Sequence, residues 1–367
     1  MMPILTLRRI SAGFAFSTIA AVPALALTPQ AATPFEPQAV APYQLSVFAA
    51  APAGLSAPDS IAVRNGHVFV GYGDGHAPDG SDGLNTQIVD FGPDGSVVHI
   101  YTVPGHSDGL KVDGFGQFLW ALQNEDANAN LVIINPDTQQ QALYQFASPA
   151  PHGGGYDDIV FQGCKVFISA SNPANNPNNG PAIVQASLSP GFVNVTPVLS
   201  ASASAIDIPT DATVTLNLQD PDSMTMDPLG DIVLDSQGDQ ELIIVSHPTE
   251  PDQRVLRLPL SYMAAGVQTP VEVDDTNFAT SSQGYILFAD KGLNTVYKLS
   301  KQAFAPGAAY TAADGGPFVG TLDMTSGIIT PVVTGLQGPG GLVFVDTSPR
   351  PPFPGHAAPQ DWTACQP

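Results

Sequence analysis

The chain has 367 residues, is 43% hydrophobic and 12% charged, and carries a formal net charge of −22 from 33 acidic against 11 basic residues. That apolar content can build a large core and excludes a chain disordered throughout. An acidic balance with no basic stripe repels phosphate backbones and anionic lipid surfaces, so nucleic acid and membrane-surface binding are excluded and cations are the natural counter-species.

The first element in chain order is a targeting segment. Arg8 and Arg9 precede an apolar, small-residue stretch from Ile10 to Leu25, and Ala24-Leu25-Ala26 fits a small-x-small cleavage site. Residues 1–26 therefore read as a secretory signal peptide, since the apolar run is short for a span and is broken by Pro23. The expected mature protein is secreted or periplasmic, with no later segment able to span a membrane. Residues 27–41 read as a Pro- and Ala-rich leader, 42–347 as one domain, and 348–367 as a Pro-rich tail.

Within 42–347 one phrase recurs: an Asp or Gly, a short apolar run, a turn residue, then a second apolar run. It stands at Pro58-Asp59-Ser60-Ile61-Ala62-Val63, Ser107-Asp108-Gly109-Leu110-Lys111-Val112 and Tyr156-Asp157-Asp158-Ile159-Val160-Phe161. It returns at Pro221-Asp222-Ser223-Met224-Thr225-Met226, more weakly at Thr276-Asn277-Phe278-Ala279 followed by Gly284 and Tyr285–Phe288, and partially at Gly340–Val345. The phrases start at 59, 108, 157, 222, 276 and 340, in steps of 49, 49, 65, 54 and 64 residues. Such a period suits one four-stranded blade per step with loops of varying length. No segment has the three-and-four apolar spacing of a helix, and 35 Gly and 36 Pro supply the turns that many short strands require. The predicted fold is all-β, a six-bladed β-propeller, with five or seven blades left open. Its ring is expected to close through an N-terminal strand near Tyr43–Phe48. The hairpin Phe318–Leu322 and Ile328–Val333 is assigned to the fifth or the sixth blade.

Aligning the phrases puts Asp59, Asp108, Asp157, Asp222, Thr276 and Gly340 at one mouth of the channel, with Asp158 and Asp275 nearby and His106 and His152 just ahead of two of the strands. Carboxylates facing one small volume cannot all ionise unaided; either some hold protons or a divalent cation sits among them. Asp222, Asp157, Asp108 and Asp59 are thus candidate metal ligands. Calcium is the first choice for oxygen donors, and histidines nearby admit zinc or manganese. Asp222 and Asp108 are the candidate catalytic carboxylates, and His106 and His152 the candidate substrate contacts. An Asp heading a strand can equally serve only to lock its turn. The acidic loop 74–82 can hold calcium or simply be solvated. Cys164 and Cys365 are a candidate disulfide in an oxidising compartment, with two unpaired thiols as the alternative.

The phrases at 221–232 and 107–120 resemble those of the senescence marker protein/gluconolactonase family and shade into NHL-repeat and streptogramin lyase-like propellers. The resemblance spans roughly residues 42–346 in short phrases. It implies a divalent metal at the channel mouth that polarises a lactone carbonyl and activates water. Carried over, Asp222 matches a metal-ligand Asp of the family, and Asp157 falls where the family has a ligand Asn. The family's ligand Glu has no counterpart, because Gly338-Pro339-Gly340-Gly341-Leu342 stands where it would fall. Two functions follow as expectations: a metal-dependent hydrolase of a small lactone or ester, or a non-catalytic propeller binding an extracytoplasmic protein, peptide or glycan. A monomer is expected in either case.

Overall fold

A computed structural model describes residues 36–73, 75–77, 80–123, 129–147 and 150–349. The proposed signal peptide, most of the tail and Cys365 lie outside the described residues. Among those described there is no helix; every regular element is a strand.

Among the described residues the 29 strands form six sets of four, with five short strands added at the outer edges of the fourth and fifth. Three are simple antiparallel meanders in chain order: 58–104, 107–146 and 159–200. The fourth runs over 221–259 in the same way and carries the hairpin 204–215 on its outer edge. Each meander starts with one copy of the repeated phrase. The phrase supplies the innermost strand: Pro58–Arg64, Ser107–Val112, Ile159–Gln162 and Pro221–Met226.

The last two sets exchange chain. Asp275–Phe278 begins the fifth sheet, but the next two strands, Gly284–Asp290 and Thr295–Ser300, belong to the sixth. The chain then returns to complete the fifth sheet with Ala309–Ala313, Phe318–Leu322 and Ile328–Thr334. Pro339–Asp346 supplies the inner strand of the sixth, paired with Gly284–Asp290. The outer strand of that sheet is Gln44–Ala50, paired with Thr295–Ser300. The two halves of the weak phrase at 276 thus lie in neighbouring sheets instead of one hairpin, and the 318–333 hairpin falls in the fifth. Pairing also begins earlier than residue 42: Gln38 and Ala39 lie against Thr334 and Val333.

A sheet buried on both faces needs a partner on each, and the sheets supply it to one another. Six apolar clusters fill the six boundaries. Phe69 and Ile88 of the first sheet pack with Leu110 and Leu119 of the second. Trp120 of the second packs with Ile159 and Val166 of the third, and Phe167 and Ile183 of the third with Met224 and Ile243 of the fourth. Val233 and Leu242 meet Phe278 and Phe318, and Tyr310 and Val319 meet Phe288 and Phe344. The last cluster joins the sixth sheet to the first, Leu287 and Val296 against Ile61, Val68 and Val89. This succession of sheets around one axis is the propeller architecture.

Candidate functional site

Each inner strand starts at the same end of the axis, and the second strand of each sheet, being antiparallel, finishes there. The heads of the inner strands and the loops after the second strands must therefore share one mouth. A cavity of about 270 Å³ opens at that place. The inner-strand heads bring Asp59, Asp108, Asp157, Asp222 and Asp274, and the second-strand loops bring Asn172, Gln237 and Lys291. His106, Asp220 and Ser223 complete the lining. No apolar side chain takes part.

Four expected ligands, Asp59, Asp108, Asp157 and Asp222, are thus brought together. In the fifth sheet the position at the mouth is Asp274, two residues before the expected Thr276. Thr276 is buried deeper and donates to Asp235 at 2.8 Å. The sixth position is Gly340, where a Cβ would run into Asp59 Oδ1 and stand 3.4 Å from Lys291 Cε. Lys291 reaches that space from its own loop, with Nζ 3.1 Å from Asp274 Oδ1 and 3.8 Å from Asp59 Oδ1.

Two features give the cavity its chemistry. First, the carboxyl groups of Asp157 and Asp222 are within hydrogen-bond reach of one another. Both are pushed well above the usual carboxylate range, by withdrawal from water and then by neighbouring acids, Asp108 for Asp157 and Asp157 for Asp222. Two carboxyl groups placed this way oppose each other's ionisation. Second, His106 is hydrogen-bonded on both ring nitrogens: Nδ1 lies 2.9 Å from the His76 carbonyl oxygen, and Nε2 lies 3.0 Å from each oxygen of Asp108. A carbonyl oxygen only accepts, so Nδ1 carries a proton. Nε2, equidistant from both oxygens of Asp108, fixes that side chain against the wall.

His152 lies off the cavity, buried beside Tyr156 and hydrogen-bonded through Nε2 to the Gly155 carbonyl at 2.7 Å. Asp82, at the end of the acidic loop, accepts from the backbone N–H of Ala77 and Leu84 and so closes its own turn. Cys164 is disulfide-bonded. Asp235 and Asp290 are also buried and tie loops or neighbouring strands.

The donor set suits a hard cation in type and charge, since two carboxyl groups in contact suppress each other's ionisation until a cation or proton separates their charges. Asp108 is committed to His106. Among the described residues no group of three or more His, Cys, Asp or Glu side chains is arranged to hold a metal ion.

Sequence reasoning missed Asn172, Gln237, Lys291, Asp220 and Asp274. The available signal was positional: Asn172, Gln237 and Lys291 each follow the last residues of a second strand, which antiparallel pairing returns to the mouth.

No protein-family profile matches the chain, and no curated protein matches it. Among solved structures it is similar to the periplasmic gluconolactonase of Pseudomonas aeruginosa, at 15% identity over 79% of this chain and 88% of that one, with a TM-score of 0.47. It is similar to virginiamycin B lyase from Staphylococcus aureus, at 11% identity over 78% and 87% of the two chains, TM-score 0.46. It is also similar to a protein of unknown function from Bacteroides caccae, at 10% identity over 80% and 88%, TM-score 0.46. Likenesses of this degree assign no family and no activity. The class of the protein, an all-β propeller, rests on its strand pairing.

Proposed function

We propose that the protein is a hydrolase of a small polar lactone or ester, working in the acidic cavity at the channel mouth. The observation that carries this reading is the Asp157–Asp222 pair, two carboxyl groups within hydrogen-bond reach of one another, both pushed well above the usual carboxylate range, that face a small polar volume. Such a pair contains a base and an acid at once. The ionised member takes the proton of an attacking water as its oxygen bonds to the acyl carbon. The protonated member gives its proton to the alkoxyl oxygen as the acyl–oxygen bond breaks, leaving an acid and an alcohol. Asp108, fixed by His106, lines the same wall. Lys291 lines the same cavity and donates to Asp274 Oδ1 at 3.1 Å.

The same pair, with Asp108 released from His106, would hold a divalent cation, calcium first and zinc or manganese as alternatives. When bound, such a cation supplies carbonyl polarisation and a more acidic water. The substrate must be small and hydrophilic, because about 270 Å³ of entirely polar lining offers no apolar contact for a long acyl chain. We also place the protein outside the cytoplasm. Arg8, Arg9 and the apolar run to Leu25 support this, as does a disulfide at Cys164.

The test is hydrolysis of a panel of small lactones and esters by the mature protein, with and without added calcium, zinc or manganese. The expected result is turnover of at least one substrate and a loss of about 100-fold or more in Asp222→Asn. No turnover in any metal form would end the enzyme reading in favour of a binding propeller.

A further inference from the structure

A second cavity, also of about 270 Å³, lies toward the end of the channel opposite the acidic mouth. All six inner strands reach it, through Ile61, Val112, Ile159, Met224, Asn277 and Leu342. Lys111, Thr225 and Asn277 are the polar side chains of an otherwise apolar lining. Gly114 and Phe161 also line it, and a Cβ on Gly114 would stand 3.6 Å from Phe161 Cβ and 3.5 Å from the Gly163 carbonyl oxygen. The turn at Gly163 and Cys164, between Ile159–Gln162 and Lys165–Ser169, therefore borders this far opening. Cys164 is disulfide-bonded, and the chain's one other cysteine is Cys365. The described chain ends at Pro349, just past the far end of the sixth inner strand, where Thr347 N donates to the Gln283 carbonyl oxygen at 3.1 Å.

We propose that residues 350–365 form a disulfide-tethered strap across the far opening, with Trp362 seated in its apolar cavity. The two anchors set the path. The sixth sheet packs on the first, so the third and sixth stand three sheets apart in either direction, and the shortest line between them crosses the axis. Packed sheets about 10 Å apart place opposite members of such a ring about 20 Å apart. The chain from Pro349 to Cys365, rich in proline and extended, spans about 50 Å, which is enough to cross and to dip inward. The segment carries two large aromatic side chains, Phe353 and Trp362, the kind that buries most apolar area. Trp362 is three residues from Cys365, within about 10 Å of the turn on the rim. Seated there, it removes apolar surface from water and leaves the acidic mouth as the open end of the channel. The inference depends neither on hydrolysis nor on a bound cation.

The experiment is fluorine NMR of the mature protein labelled with 5-fluorotryptophan, in the presence of a soluble, neutral gadolinium chelate. The chain has two tryptophans, so two signals are expected; Trp362→Phe assigns them, and the fully buried Trp120 reports that the fold is intact. Cys365→Ser releases the tether. Thr225→Phe fills the cavity from the fourth sheet and leaves the disulfide alone; Val343→Phe fills it from the sixth if Thr225→Phe does not fold. The expected result is a wild-type Trp362 signal broadened several-fold less than free 5-fluorotryptophan, and broadened as strongly as the free amino acid in Cys365→Ser and in the cavity-filling variants. Full broadening in wild type would overturn the strap. Protection unchanged in both cavity-filling variants would mean that Trp362 packs elsewhere and would overturn the seat. Protection that persists in Cys365→Ser would overturn the tether and leave the seat standing. Protection that grows with protein concentration would assign the cavity to the tail of a second copy and overturn a strap within one chain.

Discussion

Asp157-Asp158 and Asp274-Asp275 are the same dipeptide at the head of an inner strand, and in each the two neighbours do opposite work. The first Asp of each faces the mouth cavity. The second turns away, as successive strand residues must, and fastens the adjacent sheet. Asp158 Oδ2 accepts from Met224 N at 2.8 Å, and Asp275 Oδ2 accepts from Leu342 N at 2.6 Å. Lys111, projecting from the second inner strand, reaches Asp158 at 2.7 Å and is held firmly charged by Asp158, Asp275 and Asp235 despite its burial. The outer acids line the cavity, Asp157 against Asp222 and Asp274 against Lys291, whereas the inner acids are tied to backbone donors of the next sheet and to Lys111. One repeat thus yields a cavity-lining layer resting on a structural one.

The largest effect that would break this comparison is on the structural layer. Lys111→Met leaves Asp158 buried without its ammonium, and a cost of about 3–5 kcal/mol is expected in chemical denaturation. Should stability fall by less than the uncertainty of the fit, the inner acids are not a charge-paired support. Gly109→Ala comes next. Its Cβ would run into the Asp157 carbonyl oxygen and crowd Leu122, so a loss of about 1–3 kcal/mol is expected, together with loss of whatever Asp157 does at the mouth.

Asp275 sharpens the comparison through pH. Burial, and then the acids around it, raise its carboxyl from 3.8 to about 7, against the opposing pull of Lys111. The folded state therefore keeps a proton that the unfolded state gives up near pH 4. The stability from this group is full below that pH and is lost as pH rises to about 7. Asp275→Asn keeps an acceptor for Leu342 N, so its denaturation midpoint should fall less than that of wild type across this window. A parallel pH dependence in the two proteins would contradict the assignment. For the outer layer the raised pair predicts that divalent affinity weakens with acidification already above the ordinary carboxylate range, because protons compete for Asp157 and Asp222. Calorimetry at several pH values would show it. The smallest effect is expected at the surface. Arg64 pairs with Asp137, which is 68% exposed, so Asp137→Ala should change stability by no more than about 1 kcal/mol.

The sequence made the inner strands legible because each carries its own head residue, its apolar run and a turn glycine; Gly66, Gly116, Gly163 and Gly230 all adopt positive φ. Four of the six acids lining the mouth were legible for the same reason. The exchange between the fifth and sixth sheets was not, since Phe278 and Gly284 are close in sequence and read as one hairpin when nothing local shows that the chain has crossed to the next sheet. Asp274 was missed because the weak phrase was aligned on Thr276, and a slip of two residues along a strand keeps the same face, so the alternation gives no warning. Lys291 was invisible to the repeat because it comes from a different loop and fills a place defined only by the absence of a side chain at Gly340.

The proposed chemistry requires Asp157 and Asp222 to act as one proton-holding unit at the mouth. Side-chain carboxyl NMR of carbon-labelled protein, titrated from acid to neutral pH in wild type and Asp222→Asn, tests it most directly. Two wild-type resonances that share a transition well above the ordinary carboxylate range are expected, with a shift of the Asp157 transition when Asp222 is replaced. Two independent transitions near pH 4, with Asp157 unaffected by the substitution, would contradict it.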